Sequence, residues 1–305
     1  MQTRKKLRGI IALLGILLCL MAAEGALAEN APILQVHQMK LGCADGYLIR
    51  YGDINILVDG GNPLPLKPST AVVDYLRSAG VERLDACIVT HWHLDHCMEL
   101  NDVLAAFGDG DTVVYGPSEQ LIASASNPLV TVPMAPLAAG TYRQMKMGDV
   151  LTFASGGGEI RFHCVGPAEV KQNGACNQDS LNFVLQYGRR KMLFTGDYAA
   201  GRSINSTYAE LCRDVDVLKF PHHGIMPYAI TAATARTLHA QIVVVPGMGN
   251  RYELWSFFDN NGAKMPREQL YTDSDAPLVI LTDGAELLEV RIQQDPRDYA
   301  PEKPV

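Results

Sequence analysis

The sequence predicts one α/β domain of two packed sheets with helices on the outside. Three observations carry that expectation. Short apolar runs of strand length dominate the chain, and helical stretches come between them. The 305 residues contain no Gly/Ser- or Pro-rich linker, no repeat and no block of like charge, so nothing divides the chain once its N-terminal leader is set aside. Several apolar runs also end in His or Asp, groups that a core accepts only where something pairs with them.

The elements follow in order. Residues 33–39, 46–51 and 54–58 are apolar strands, the last running into Asp59-Gly60-Gly61, a tight turn. Ser69 is placed to cap a helix through Ala79, with Gly80 as its stop. A strand over 85–90 leads into His91-Trp92-His93-Leu94-Asp95-His96, and a helix is expected from about Cys97 to Phe107. Further strands are expected at 112–115, 159–165, 181–187, 191–195, 215–220, 241–245, 278–282 and 286–292, with helices at 118–126, 203–212 and 228–238. Residues 127–158 are rich in Pro, Ala and Gly and carry no clear pattern.

The chain begins with Arg4, Lys5, Lys6 and Arg8, then a short apolar stretch, then Ala26-Leu27-Ala28 before Glu29. This is the pattern of a secretory signal peptide, expected to be removed after Ala28; a retained anchor is the alternative. The mature protein, residues 29–305, is then exported and carries no membrane span. Residues 1–28 hold four of the 26 basic and one of the 33 acidic residues, which leaves 22 and 32 and a net charge of −10. Such a surface repels polyanions, so a small or cell-wall-attached substrate is expected rather than extended nucleic acid. Six cysteines remain, too few for a disulfide scaffold at this length, and Cys87 and Cys164 lie in apolar strands as small core residues.

Five of the eight histidines fall in two clusters. The first is the run from His91 to His96, four metal-ligating side chains within six residues. The second is His222-His223-Gly224, which follows the apolar run 217–220. Between them, the strand 191–195 ends in Gly196-Asp197. All three groups sit at the C-terminal end of a buried strand, and a divalent cation would pair with them at once. His37, His163 and His239 stand alone and read as hydrogen-bonded structural residues. Asp59 reads as a carboxylate that orients a ligand histidine. Asp45 reads as a turn residue. Lys219 has two readings, a solvated strand charge or a phosphate contact.

These motifs resemble the metallo-β-lactamase superfamily, and within it the hydrolase domain of the competence protein ComEC and its secreted relatives. The likeness rests on His91-x-His93-x-Asp95-His96, Thr195-Gly196-Asp197 and His222-His223-Gly224. Gly42-Cys43-Ala44-Asp45, Asp59-Gly60-Gly61, Asn177-x-x-Ser180, Asp216-Val217-Leu218-Lys219, Gly249-Asn250-Arg251-Tyr252 and Thr282-Asp283-Gly284 add to it. The resemblance implies a four-layer αββα sandwich with the site at one edge of the sheets. It implies two divalent ions, zinc or alternatively manganese. One ion would be held by His91 and His93, the other by Asp95, His96 and one of the paired histidines, with Asp197 bridging. The motif does not choose within the pair; His222 is assigned as the ligand, and His223 as the residue that touches substrate or supports the ligands. Four departures from the family pattern are Asn177 in place of a further histidine, Cys97-Met98 after the first motif, Ile225 in place of serine, and Glu253-Leu254-Trp255 in place of Gly-His-Pro.

The implied chemistry is hydrolysis by metal-bound hydroxide, with Asp95 or Asp197 orienting the water and moving its proton. Ser180 heads an apolar strand without an evident base and reads as structural or substrate-binding. The resemblance favours a phosphoester or phosphodiester. A β-lactam or other ester or amide is the alternative, and a scaffold that has lost its chemistry is a third reading.

Overall fold

The computed structural model describes residues 31–62, 70–118, 141–199, 206–225, 230–247, 251–262, 267–286 and 288–292. The expected signal peptide, the expected Ser69 cap and the expected helix beyond Ser118 lie outside the described residues. Among those residues, no helix is long and apolar enough to cross a membrane.

The first sheet collects β1 (Leu34–Gln38), β2 (Gly46–Tyr51), β3 (Ile54–Gly60), β4 (Ala86–Ile88), β5 (Val113–Gly116) and β6 (Tyr142–Gln144). The second collects β7 (Val150–Ser155), β8 (Gly158–Gly166), β9 (Asn182–Tyr187), β10 (Arg190–Phe194), β11 (Val217–Lys219), β12 (Ile242–Val245) and β13 (Leu270–Thr272). The chain then returns to the first sheet as β14 (Leu278–Thr282) and β15 (Leu288–Ile292). The strand orders are β15-β14-β1-β2-β3-β4-β5-β6 and β13-β12-β11-β10-β9-β8-β7.

Alternation along the strands builds the layers. In β2 and β3, Tyr47, Ile49, Ile56 and Val58 face a core between the sheets, where they meet Phe162, Phe183 and Phe194. Leu48 and Leu57 point the other way, under α1 (Ala71–Ser78) and α3 (Leu100–Phe107), against Val72, Leu76 and Val103. On the second sheet, Val184, Leu193, Leu218 and Val243 face outward. They pack with Leu238 of α4 (Ala232–Leu238) and with Leu254 and Phe258 of α5 (Arg251–Asn260). Three apolar interfaces separate four layers, the α/β sandwich expected from the pattern.

Some elements differ from expectation. The helix foreseen over 97–107 is two pieces, α2 (Leu94–Cys97) and α3. Glu99 breaks it: its N–H donates to the Gly60 carbonyl (2.9 Å), and its carboxylate accepts the Val72 N–H (2.9 Å), capping α1. Thr70 stands at the N-cap position of α1. The described part of 203–212 is a 3₁₀ turn at Ser206–Tyr208 and further turns, not an α-helix.

Candidate metal centre

Strand direction assembles the site. β3, β4 and β5 run parallel, as do β10, β11 and β12, so their C-terminal ends leave each sheet on one side. The loop after β4 carries His91 and His93 and leads into α2, which carries Asp95 and His96; the turn after β10 carries Asp197, and the turn after β11 carries His222 and His223. β2 runs antiparallel to β3, which returns Asp45 to the level of Asp59. The turns are tight. Asp59, His222 and His223 adopt φ of 54°, 50° and 53°, the left-handed region that side chains with a Cβ avoid. A Cβ on Gly61 would sit 1.8 Å from the Asp95 carbonyl, so only glycine lets β3 pass this close to the ligand loop.

Two groups of donors share one carboxylate. Asp95, His96, Asp197 and His223 each bring a donor atom within 4.8 Å of the others, and His91, His93 and Asp197 do the same. The two oxygens of Asp197 face different partners. Oδ2 lies 3.8 Å from Nε2 of both His91 and His222. Oδ1 lies 3.1 Å from His96 Nε2 and 3.7 Å from His223 Nε2.

Outer partners aim the imidazoles. Asp59 Oδ2 is 2.9 Å from His96 Nδ1 and accepts the Thr90 hydroxyl (2.8 Å), while Oδ1 accepts the Thr90 N–H (2.8 Å). With Nδ1 held by a carboxylate, His96 is left to act through Nε2. Ser180 Oγ accepts the Asp197 N–H (3.0 Å) and lies 3.4 Å from His91 Nδ1. Asp179 accepts the N–H groups of Lys171, Gln172 and Gly174, folding a loop whose Ala175 carbonyl is 3.2 Å from His93 Nε2.

Carboxylates and imidazoles shift one another's titration here. Burial raises the Asp197 carboxyl, but His96, His223 and His91 outweigh it and hold it well below the carboxylate range. Burial lowers His96, yet Asp197, Asp59 and Asp45 push it well above its ordinary value. His223 rises to about 10, because Asp197, the nearby Asp45 carboxylate and the hydrogen bond to Asp95 overcome burial. Asp95 falls to about 2, its burial outweighed by the His223 bond and nearby positive charge. Burial and the neighbouring His96 drive His91 well below its ordinary value.

Unmet bonding capacity tests whether a metal fits. His91 Nε2, His96 Nε2 and Asp197 Oδ1 are buried and make no hydrogen bond. His96 Nε2 and Asp197 Oδ1 are 3.1 Å apart but not aligned for one. Buried polar atoms left this way are costly. Their convergence on one space, with imidazole and carboxylate donors, fits divalent cations and suits zinc.

The geometry separates the paired histidines in the reverse of the sequence assignment. His223, 1% exposed, joins Asp95, His96 and Asp197. His222, 27% exposed, stands outside that group, 3.2 Å from the Asn177 amide nitrogen. Both residues share a positive φ, so what separates them is that His223 lies buried among the other donors and His222 does not, which a linear motif does not show. Lys219 is neither solvated nor open to phosphate: it is 3% exposed and ion-paired to Asp45. Asp45 is no simple turn residue, since its Oδ1 is 3.4 Å from His223 Nδ1 and its Oδ2 3.6 Å from His96 Nδ1. Thr90 escaped the sequence reading, although its place between a strand and the first histidine was a signal for it.

The fold is similar to that of the metallo-β-lactamase fold protein YhfI from Bacillus subtilis. The two are 16% identical with a TM-score of 0.51, over 82% of this chain and 100% of that one. Human tRNase Z, short form, also aligns, at 16% identity and a TM-score of 0.46 over 81% of this chain and 98% of that one. No curated protein matches the chain. The family model of the metallo-β-lactamase superfamily matches residues 44–244, from Asp45 at one end of the site to beyond His223 at the other. This chain therefore belongs to the metallo-β-lactamase superfamily, whose members are mostly metal-dependent hydrolases.

Proposed function

We propose that this protein is an exported hydrolase that uses two divalent ions, zinc or alternatively manganese, to cleave a phosphoester or phosphodiester of small or cell-wall-attached character. The observation that carries the two-ion reading is the division of Asp197, whose oxygens face separate pairs of imidazoles. His91, His93 and Asp197 would hold one ion, and Asp95, His96, Asp197 and His223 the other. Such ions lower the pKa of bound water to about 7 and polarise the scissile oxygen. The chain's own groups do the rest. Asp95, with 20% of its side chain exposed, is the carboxylate placed to take a proton from the attacking water and pass it to solvent. His222, held by Asn177 at the open side, is placed to contact substrate. Ser180 is engaged with the Asp197 backbone and acts in support, not as a nucleophile.

The phosphoester class rests on the ComEC-like motifs and the acidic surface, and export rests on the leader ending at Ala28. Metal content per chain and turnover of bis(p-nitrophenyl) phosphate test the reading together. Two ions in the wild type, with turnover lost on chelation and in His93→Ala, support it. Turnover of a β-lactam in place of the phosphodiester moves the substrate class. An N-terminus of the exported protein far from Glu29 removes cleavage after Ala28, and a protein that stays inside the cell removes the export claim. Bound metal with equal turnover in wild type and His93→Ala leaves a binding protein that kept the fold.

A further inference from the structure

Lys219 is a buried amine that the chemistry above does not use. It lies on β11 of the second sheet, 3% exposed, between the two sheets. Its Nζ is ion-paired to Asp45, which precedes β2 of the first sheet, donates to the Gly196 carbonyl (2.6 Å), and stands 4.0 Å from Asp197 Oδ1. Asp45 in turn faces Nδ1 of both His223 (3.4 Å) and His96 (3.6 Å). The ammonium is therefore tied at once to the turn that presents Asp197 and to the carboxylate behind two imidazoles.

We propose that Lys219 is a positioning residue, an internal counter-cation that locks the Gly196-Asp197 turn of one sheet onto Asp45 of the other and thereby sets the binding of the ion held by Asp95, His96, Asp197 and His223. A buried lysine is costly unless its charge and donors are met, and here every contact serves the centre. Pairing also neutralises Asp45, which otherwise would stand as an uncompensated carboxylate behind His96 and His223. Asp45, Asp59, Asp95 and Asp197 are four carboxylates; Lys219 offsets the one it is paired with, Asp45, and leaves the other three to face the two divalent ions of the reading on which this inference rests.

Electrostatics alone makes the opposite prediction. Removing a cation 4.0 Å from Asp197 would tighten the hold on another cation. Zinc stoichiometry and affinity, measured by chelator competition together with Tm, decide between the two for wild type, Lys219→Met, Asp45→Asn and the double variant. Lys219→Met is expected to keep one ion and bind the second about 10–100-fold more weakly, the cost of losing a partner that orients ligands. Asp45→Asn keeps the Gly196 contact available and is expected to show the same loss, so the test survives if Lys219→Met does not fold. The double variant is expected to bind no more weakly than the worse single one, because both act along one path. Unchanged or tighter zinc in either single variant overturns the proposal, as does a lower Tm with unchanged affinity, or additive losses in the double. A wild type that takes up no zinc overturns the two-ion reading along with it, whereas a two-ion wild type beside two-ion, full-affinity variants overturns this inference alone.

Discussion

His37 and His96 are both fully buried, yet their surroundings drive them to opposite charge states. His37 lies on β1, on the face covered by α1, where its Nδ1 is 3.0 Å from the Tyr75 hydroxyl. Burial, with Arg50 nearby, pushes it down to about 3, so it is neutral. His96 lies at the end of the sandwich among Asp45, Asp59 and Asp197, and is pushed well above its ordinary value. Depth alone therefore strips charge from an imidazole, while converging carboxylates restore it. The second arrangement holds positive charge in the protein interior, and a divalent ion bound there would take the place of that charge.

The largest change should come from removing the shared carboxylate. Asp197→Ala is expected to hold at most one ion and to lose more than two orders of magnitude in hydrolysis, beyond the roughly 10–100-fold cost of losing an outer partner. Elemental analysis beside turnover checks this; two retained ions would separate Asp197 from the centre. Next comes the partner of His96. Asp59→Asn removes the charge on Nδ1, and zinc affinity is expected to fall about 10–100-fold, read by chelator competition. Full affinity would mean that His96 needs no carboxylate behind it.

His37 supplies the contrasting test. Its folded value lies below its unfolded one, so the unfolded chain binds more protons between pH 6.5 and about 3. The stability it protects is present above pH 6.5 and is lost as pH falls toward 3, by on the order of a few kcal/mol. His37→Gln is expected to flatten that slope in denaturant titrations and leave metal content unchanged; an equally steep acid loss would contradict the neutral assignment. The smallest effect serves as a control, on a helix covering the outer face of the second sheet. Thr231 accepts the Thr234 N–H (3.1 Å) at the start of α4, and Thr231→Ala should cost about 1 kcal/mol of stability with no change in bound metal.

The ligand clusters were legible because each follows an apolar run, and a strand end is where a sheet can present polar groups without breaking its ladder. The strands that escaped notice lacked that contrast. β7 alternates exposed and half-buried residues, with Val150 49% exposed, and so shows no continuous apolar run. β6 is three residues long, and none of them is fully buried. α5 carries Tyr252 on its surface and only Leu254 and Phe258 fully inside, a face too sparse to read as a period.

By itself, the sequence determined the two-sheet class and placed His91, His93, Asp95, His96 and Asp197 just after buried strands, because periodicity and strand ends are local properties of a chain. Tertiary structure alone decided which of His222 and His223 turns inward, that Asp197 offers one oxygen to each group, and that Lys219 is sealed against Asp45. These depend on the meeting of two sheets and on backbone turned to positive φ, and so on distances between residues far apart in the chain.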